Sequence, residues 1–162
     1  MELFGGSSVL GGVLARVWSA AVRGIDGHAV AVETDLANGI PCYATVGLPD
    51  SAVRESRERV VAAVRNSGFE FPSRRITVNL APAELRKSGT QFDLPVALGV
   101  LAASGQVQAG ERLGRLAFLG ELALDGSVKP VQGVLPMADA ARRRGLAGVV
   151  VAPENAAEAA AT

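Results

Sequence analysis

The chain has 162 residues, with 16 Lys and Arg against 16 Asp and Glu, one Cys, one His and 49% hydrophobic residues. That length and apolar share fit one domain with a real core and exclude a disordered chain, and so few Cys and His exclude a disulfide or a Cys/His zinc site. No apolar run reaches the ~18 residues of a membrane span and no signal peptide opens the chain, so a cytoplasmic protein is expected.

Residues 4–12 (FGGSSVLGG) read as a flexible leader, because Gly-rich segments lose much entropy for little burial. From Val13 the pattern alternates with period two, and both faces are largely apolar, which predicts a covered strand to Val22. Asp26-Gly27 is a hairpin signal, followed by strands over 28–36 and 42–47. A helix opens after Pro49, capped by Asp50 or Ser51. Val53, Val60, Val61 and Val64 form its buried stripe, and Arg54, Glu55, Glu58, Arg59 and Arg65 its wet side. Glu55 and Arg59 are spaced for an i,i+4 pair.

A strand follows over 75–80, then a polar loop over 82–92. Asp93 is placed to cap a helix over 94–104, which is apolar all round and therefore central. Ala117 to Leu124 and Ser127 to Val131 predict a hairpin around Asp125-Gly126. A helix over 134–144, a strand over 148–152 and a last helix from Pro153 complete the chain. Interleaved strands, hairpins and helices imply an α/β fold with a mixed sheet.

The zero net charge excludes a uniformly basic nucleic-acid binder but hides an uneven distribution. Residues 1–50 carry −3, residues 51–87 carry +4 and residues 88–162 carry −1. Arg54, Arg57, Arg65, Arg74, Arg75, Arg86 and Lys87 form the basic third and are the candidate nucleic-acid contacts, since the planar guanidinium fork suits phosphate. The competing reading is a solvated helix face or subunit interface, balanced by Glu55, Glu58 and Glu84. Arg142, Arg143 and Arg144 end a helix, where cations meet the dipole, and form a weaker second candidate. Seven aromatics argue against a stacking platform for single strands.

Several segments carry a family likeness: Leu14-Ala-Arg-Val-Trp-Ser19, Val46-Gly-Leu-Pro-Asp50, Arg65-Asn-Ser-Gly-Phe69, Ile76-Thr-Val-Asn-Leu-Ala-Pro82, Phe92-Asp-Leu-Pro-Val96, Phe118-Leu-Gly-Glu-Leu122 and Pro130-Val-Gln-Gly-Val134. In this order they closely resemble the N-terminal domain of the YifB/ComM family of magnesium-chelatase-like AAA+ ATPases. The resemblance covers residues 13–162. It implies a ribosomal S5 domain 2-like fold, as in the proteolytic domain of Lon protease, over residues 14–162. Residues 1–13 are then a leader or tag, with Val13 as an alternative start, and an AAA+ motor is expected downstream. The resemblance implies a hexameric DNA helicase that promotes branch migration in natural transformation, not magnesium insertion into porphyrin.

Lon-type proteases use a Ser–Lys dyad, in which a neutral lysine takes the serine proton. Lys87 to Val96 is similar to the Lon nucleophile loop, and Pro130 to Leu135 to the segment holding the Lon lysine. The serine position is Gln91 and the lysine position Leu135, so both roles fail. Ser88 with Lys129 is the displaced alternative. No G-x-x-x-x-G-K-[ST] sequence is present, so ATP and Mg are expected only in the downstream motor. No cofactor and no catalytic residue is assigned to this chain.

His28 and Cys42 could form a base–nucleophile pair; the plainer reading is a strand-edge histidine and a small core cysteine. Asp93 as an acid or metal ligand competes with its role as a cap, and Glu121 is placed to pair across a hairpin. The resulting expectation is a non-catalytic domain serving a DNA motor in ring assembly and DNA contact. The alternatives are a pure oligomerisation scaffold and an active Ser–Lys peptidase.

Overall fold

A computed structural model describes residues 4–5, 13–108 and 110–162 of the chain. The expected leader lies outside the described residues, apart from Val13 and Phe4–Gly5 (β1), which pair antiparallel with Leu14 and Ala15. The next strands are β2 (Val13–Arg23), β3 (Asp26–Ala37) and β4 (Cys42–Val46), followed by helix α1 (Ser51–Asn66) and strand β5 (Arg75–Ala81). Helices α2 (Asp93–Ala103) and α3 (Glu111–Arg115) precede β6 (Leu116–Leu119), β7 (Glu121–Leu122) and β8 (Val128–Lys129). Helix α4 (Val134–Arg143), β9 (Gly148–Val151) and α5 (Ala156–Ala160) close the fold.

The main sheet runs β4-β5-β3-β2-β6-β9, with β1 added beside β2. It is mixed: β4 is parallel to β5, and β6 is parallel to β2 and β9, while β3 is antiparallel to both its neighbours. One face carries α1 and α2. Val53, Val60, Val96 and Val100 pack there against Val30, Val32, Leu36, Ile76, Val78 and Leu80. The other face carries α4, where Val134 and Met137 meet Ala20 and Leu119, and Ala141 meets Trp18 and Ala117. This two-sided burial is why β2 is apolar on both faces and α2 is apolar all round.

Two expectations are corrected. The β2–β3 turn is Gly24-Ile25, not Asp26-Gly27, since Arg23 lies opposite Asp26 and Val22 opposite Gly27. Gly24 takes the left-handed turn at φ 65°. Gly27 is glycine for another reason: a Cβ there would lie 1.9 Å from the carbonyl oxygen of Pro136 in α4. The predicted strand 117–124 also breaks at Gly120. There the main sheet ends, and Glu121–Leu122 pairs with Val128–Lys129 as a separate ribbon. The break is pinned by the loop before α2 and by the first turn of that helix, because Gly120 N–H donates to Gln91 O (3.1 Å) and Leu94 N–H donates to Gly120 O (3.0 Å). Helix α3 is not foreshadowed by the apolar pattern.

Candidate functional site around the α1 entry turn

The β4–α1–β5 unit is a parallel crossover, so the turn from Val46 to Asp50 sits at the end of the sheet where α1 begins. Asp50 caps α1 as expected, its Oδ1 accepting from Val53 N–H at 2.9 Å. The turn is held by one residue of the following loop. Lys87 N–H donates to Leu48 O (3.0 Å), and Asp50 N–H donates to Lys87 O (2.9 Å). The Lys87 ammonium donates to Gly47 O (2.7 Å) and to Pro82 O.

Lys87 is 0% exposed. It is therefore an internal clamp and not part of a basic surface, which corrects its place among the candidate contacts. Burial pushes its pKa down, and the nearby Glu84 charge opposes this. The clamped turn needs unusual backbone angles. Gly47 has φ 103°, and a Cβ on it would lie 2.2 Å from Leu80 O. Leu48, a non-glycine residue, has φ 56°.

The remaining basic candidates do not form one patch. Arg54, Arg57, Arg65, Arg75 and Arg86 are exposed, and Arg74 is half-buried with its Nη2 on Asn38 Oδ1 (3.1 Å). Arg54 and Arg86 flank the entry turn: Arg54 N–H donates to Asp50 O, and Arg86 precedes the clamp residue. Arg65 lies about 16 Å further along α1. Arg74 and Arg75 lie at the start of β5, about 13 Å of strand from Asn79, the residue opposite Val46. Arg57 donates to Glu58 (2.7 Å) and lies over the Tyr43 ring at 5.8 Å. Burial raises the Tyr43 pKa to about 12.

Arg59 is not on the wet side. Its Nε and Nη2 donate to Asp93 Oδ2 (2.6 Å) and Oδ1 (3.1 Å), and Nη2 also reaches Ala52 O (3.1 Å). Asp93 is fully buried and accepts from Leu122 N–H at 3.0 Å. It is therefore an internal ion-pair partner rather than a helix cap, and it ties α1, α2 and β7 together. The expected Glu55–Arg59 pair is present at 3.9 Å. The bond to Asp93 raises the Arg59 pKa further. This knot is not visible in the sequence pattern; the one available signal is a carboxylate at the mouth of a wholly apolar helix.

The other candidates are separated or consumed. Cys42 is exposed, not in the core, because its strand is the sheet edge and position 42 faces away from α1 and α2. It is level with Ala37 of β3 through Arg75, about 30 Å of strand from His28. They cannot act as a pair. Arg142 and Arg143 both pair with Asp139 (2.8 and 2.9 Å), and Arg144 stacks over Trp18 at 4.6 Å. Glu121 lies opposite Lys129. Among the described residues no group of His, Cys, Asp and Glu could hold a metal, and no helix is long and apolar enough to cross a membrane.

Gln91 is buried behind the clamp loop. Its Nε2 donates to Ala20 O (3.2 Å) and Ser88 O (2.9 Å). Gly89 lacks a side chain where a Cβ would lie 2.3 Å from Gln91 Oε1. Leu135 is 44% exposed in the first turn of α4, and its N–H donates to Glu158 Oε2 (2.8 Å). Ser88 and Lys129 are both exposed.

Residues 32–155 match the family model described as subunit ChlI of Mg-chelatase. An uncharacterized protein of Mycobacterium tuberculosis is 49% identical over 146 residues, and the competence protein ComM of Haemophilus influenzae is 45% identical over 146. The chain belongs to this magnesium-chelatase-like ChlI/ComM family. Each match covers 90% of the chain but only 29% and 28% of the relatives, so the chain spans less than a third of their length. Lon protease 2 of Bacillus subtilis is 29% identical over 105 residues, covering 65% of this chain and 18% of that protein. The chain thus carries the mixed α/β, Lon-like fold expected from its sequence.

Proposed function

We propose that this chain is the non-catalytic, Lon-like N-terminal domain of a longer AAA+ ATPase that acts on DNA. In this reading the motor binds ATP and Mg through residues outside this chain, because no Walker A sequence lies within it. The assembled protein is a cytoplasmic hexameric ring, and the domain helps to build it and contacts DNA. The ring promotes branch migration during recombination of transforming DNA. The name of the Haemophilus relative, a competence protein, supports this setting.

The observation that carries the non-catalytic reading is Gln91. An amide cannot be deprotonated into a nucleophile near neutral pH, and this one holds two backbone carbonyls, Ala20 O and Ser88 O. The position is used to fasten the loop to β2. Leu135, at the lysine position, has no proton to exchange.

Three measurements test the proposal. The longer gene product is expected to hydrolyse ATP faster in the presence of DNA. The 162-residue chain is expected to show no peptidase activity above that of its Ser88→Ala variant. Binding of the chain to DNA is expected to weaken steeply with salt, as phosphate contacts release counterions. Peptide hydrolysis that disappears in Ser88→Ala would overturn the non-catalytic reading. Salt-independent binding, or none, would overturn DNA contact.

A further inference from the structure

The entry turn of α1 presents an apolar side chain in a conformation that apolar residues avoid. Leu48 has φ 56° and is 53% exposed, so it contributes little to the core. The left-handed region crowds Cβ against the following carbonyl, and asparagine or glycine would sit there with less strain. The surrounding structure nevertheless holds this geometry from every side. Lys87 bonds to the carbonyls of Gly47 and Leu48 and to the N–H of Asp50. Asp50 is fixed in turn by capping α1. A strained residue that is rigidly held and exposed is a mark of a contact site.

The neighbours of Leu48 narrow the partner. Lys87 points inward, and the residues on either side of it, Arg86 and Ser88, are exposed. Arg54 is exposed one helical turn beyond Asp50. Among the described residues, neither Arg54 nor Arg86 takes part in an ion pair. The result is a stiff apolar tip whose two backbone anchors, Asp50 and Lys87, each lie close in the chain to an exposed arginine, Arg54 and Arg86, that makes no ion pair among the described residues. Duplex DNA has the complementary arrangement, with phosphates outside and apolar base faces between steps, where inserted leucines act as wedges.

We propose that the Leu48 turn is a DNA wedge, with Leu48 set against a base step and Arg54 and Arg86 on the flanking phosphates. The proposal rests on the DNA-contact reading above and names the residues that make the contact. Leucine, rather than glycine or asparagine, is then retained for its side chain, and Lys87 acts as a positioning residue that keeps the tip outward.

The test is a fluorescence-anisotropy titration of the 162-residue chain against a short duplex containing a mismatched, easily kinked step, at several salt concentrations. Leu48→Asn is expected to weaken binding about tenfold and leave the salt slope unchanged, since every phosphate contact stays in place. Leu48→Met, which keeps apolar length, is expected to bind like the wild type. Arg54→Gln and Arg86→Gln are each expected to lower the slope of log affinity against log salt by about one. The Tm of Leu48→Asn is expected to be no lower than wild type, because asparagine tolerates this conformation.

If Leu48→Asn binds like the wild type while the arginine variants lose affinity, the wedge is wrong and the arginine contact survives. If the wild-type chain binds no duplex, both readings fall. If Leu48→Asn keeps full DNA affinity but changes the sedimentation of the chain, the tip is a protein contact and the proposal is overturned.

Discussion

Arg54 and Arg59 stand on the same helix, in the same basic third of the chain, and have opposite fates. Arg59 turns inward and is bound in two places by a carboxylate 34 residues further along, at the start of α2. Arg54 turns outward beside the Leu48 turn and has no ion pair among the described residues. Helical periodicity alone puts both on the wet side. What separates them is the arrival of Asp93, which a pattern within one helix does not contain. Two arginines of one helix thus end in different places, the inner one holding the packing of α1 against α2 and β7 and the outer one left exposed to solvent.

The inner side can be broken most severely at Asp93. Asp93→Ala leaves the Arg59 guanidinium half-buried without its partner and removes the acceptor of Leu122 N–H. Breaking a buried pair from one side costs about 3–5 kcal/mol, which urea unfolding would read directly. The double change Arg59→Met with Asp93→Leu sharpens this test. Apolar replacement of both partners is expected to recover much of the loss, because neither charge then needs desolvation. A single-variant loss below about 1 kcal/mol would mean that the pair does not hold α1, α2 and β7 together.

Tyr43 is an intermediate case, since its ring lies beneath the outward Arg57 while its hydroxyl is buried. Its folded-state pKa is raised from 10.0 to about 12. A raised pKa contributes stability that is fully present below pH 10 and is lost as pH rises through 12. The wild type should therefore lose about 2–3 kcal/mol across that window, and Tyr43→Phe should not share this loss. Unfolding at pH 9 and pH 12 would show the difference.

Lys87 has the opposite sign. Its pKa is depressed by burial, so the charged form costs stability at neutral pH, and the cost fades as pH approaches 10.5. The stability of the wild type relative to Lys87→Met should accordingly rise between neutral pH and pH 10.5. A flat difference would show that the ammonium is fully compensated by its two carbonyls.

Much of the fold is legible in the sequence because apolar spacing is set by burial. Ile76, Val78 and Leu80 alternate on β5, and Val53, Val60 and Val64 recur on α1. The errors come from residues with two physical uses. Asp26-Gly27 has the composition of a turn, but Gly27 is small to admit Pro136 of α4. Lys87 has the composition of a surface contact, yet its four-carbon stem is buried and its ammonium finds carbonyls. Of the candidate contacts, Arg54 and Arg86 are joined to the entry turn only through the backbone of Asp50 and Lys87, and Arg65, Arg74 and Arg75 lie further along their elements. The buried knot and the strained leucine depend on contacts distant in sequence or on a backbone angle, and neither is written in local composition.

The smallest expected effect decides whether the outer side is free to bind. Arg54→Ala removes an exposed side chain that has no ion pair among the described residues, so it should change stability by no more than about 0.5 kcal/mol. Arg59→Ala, made on the same helix, should cost several times more because it strands the buried Asp93. Urea unfolding of the two variants side by side measures this contrast without any ligand. A cost above about 1 kcal/mol for Arg54→Ala would reveal a structural role on the outer side of α1, and any fall in DNA affinity of Arg54 variants would then be a folding effect. A negligible cost makes the same variants clean probes, because a fall in their affinity then reports the arginine–phosphate interaction beside Leu48 and nothing about folding.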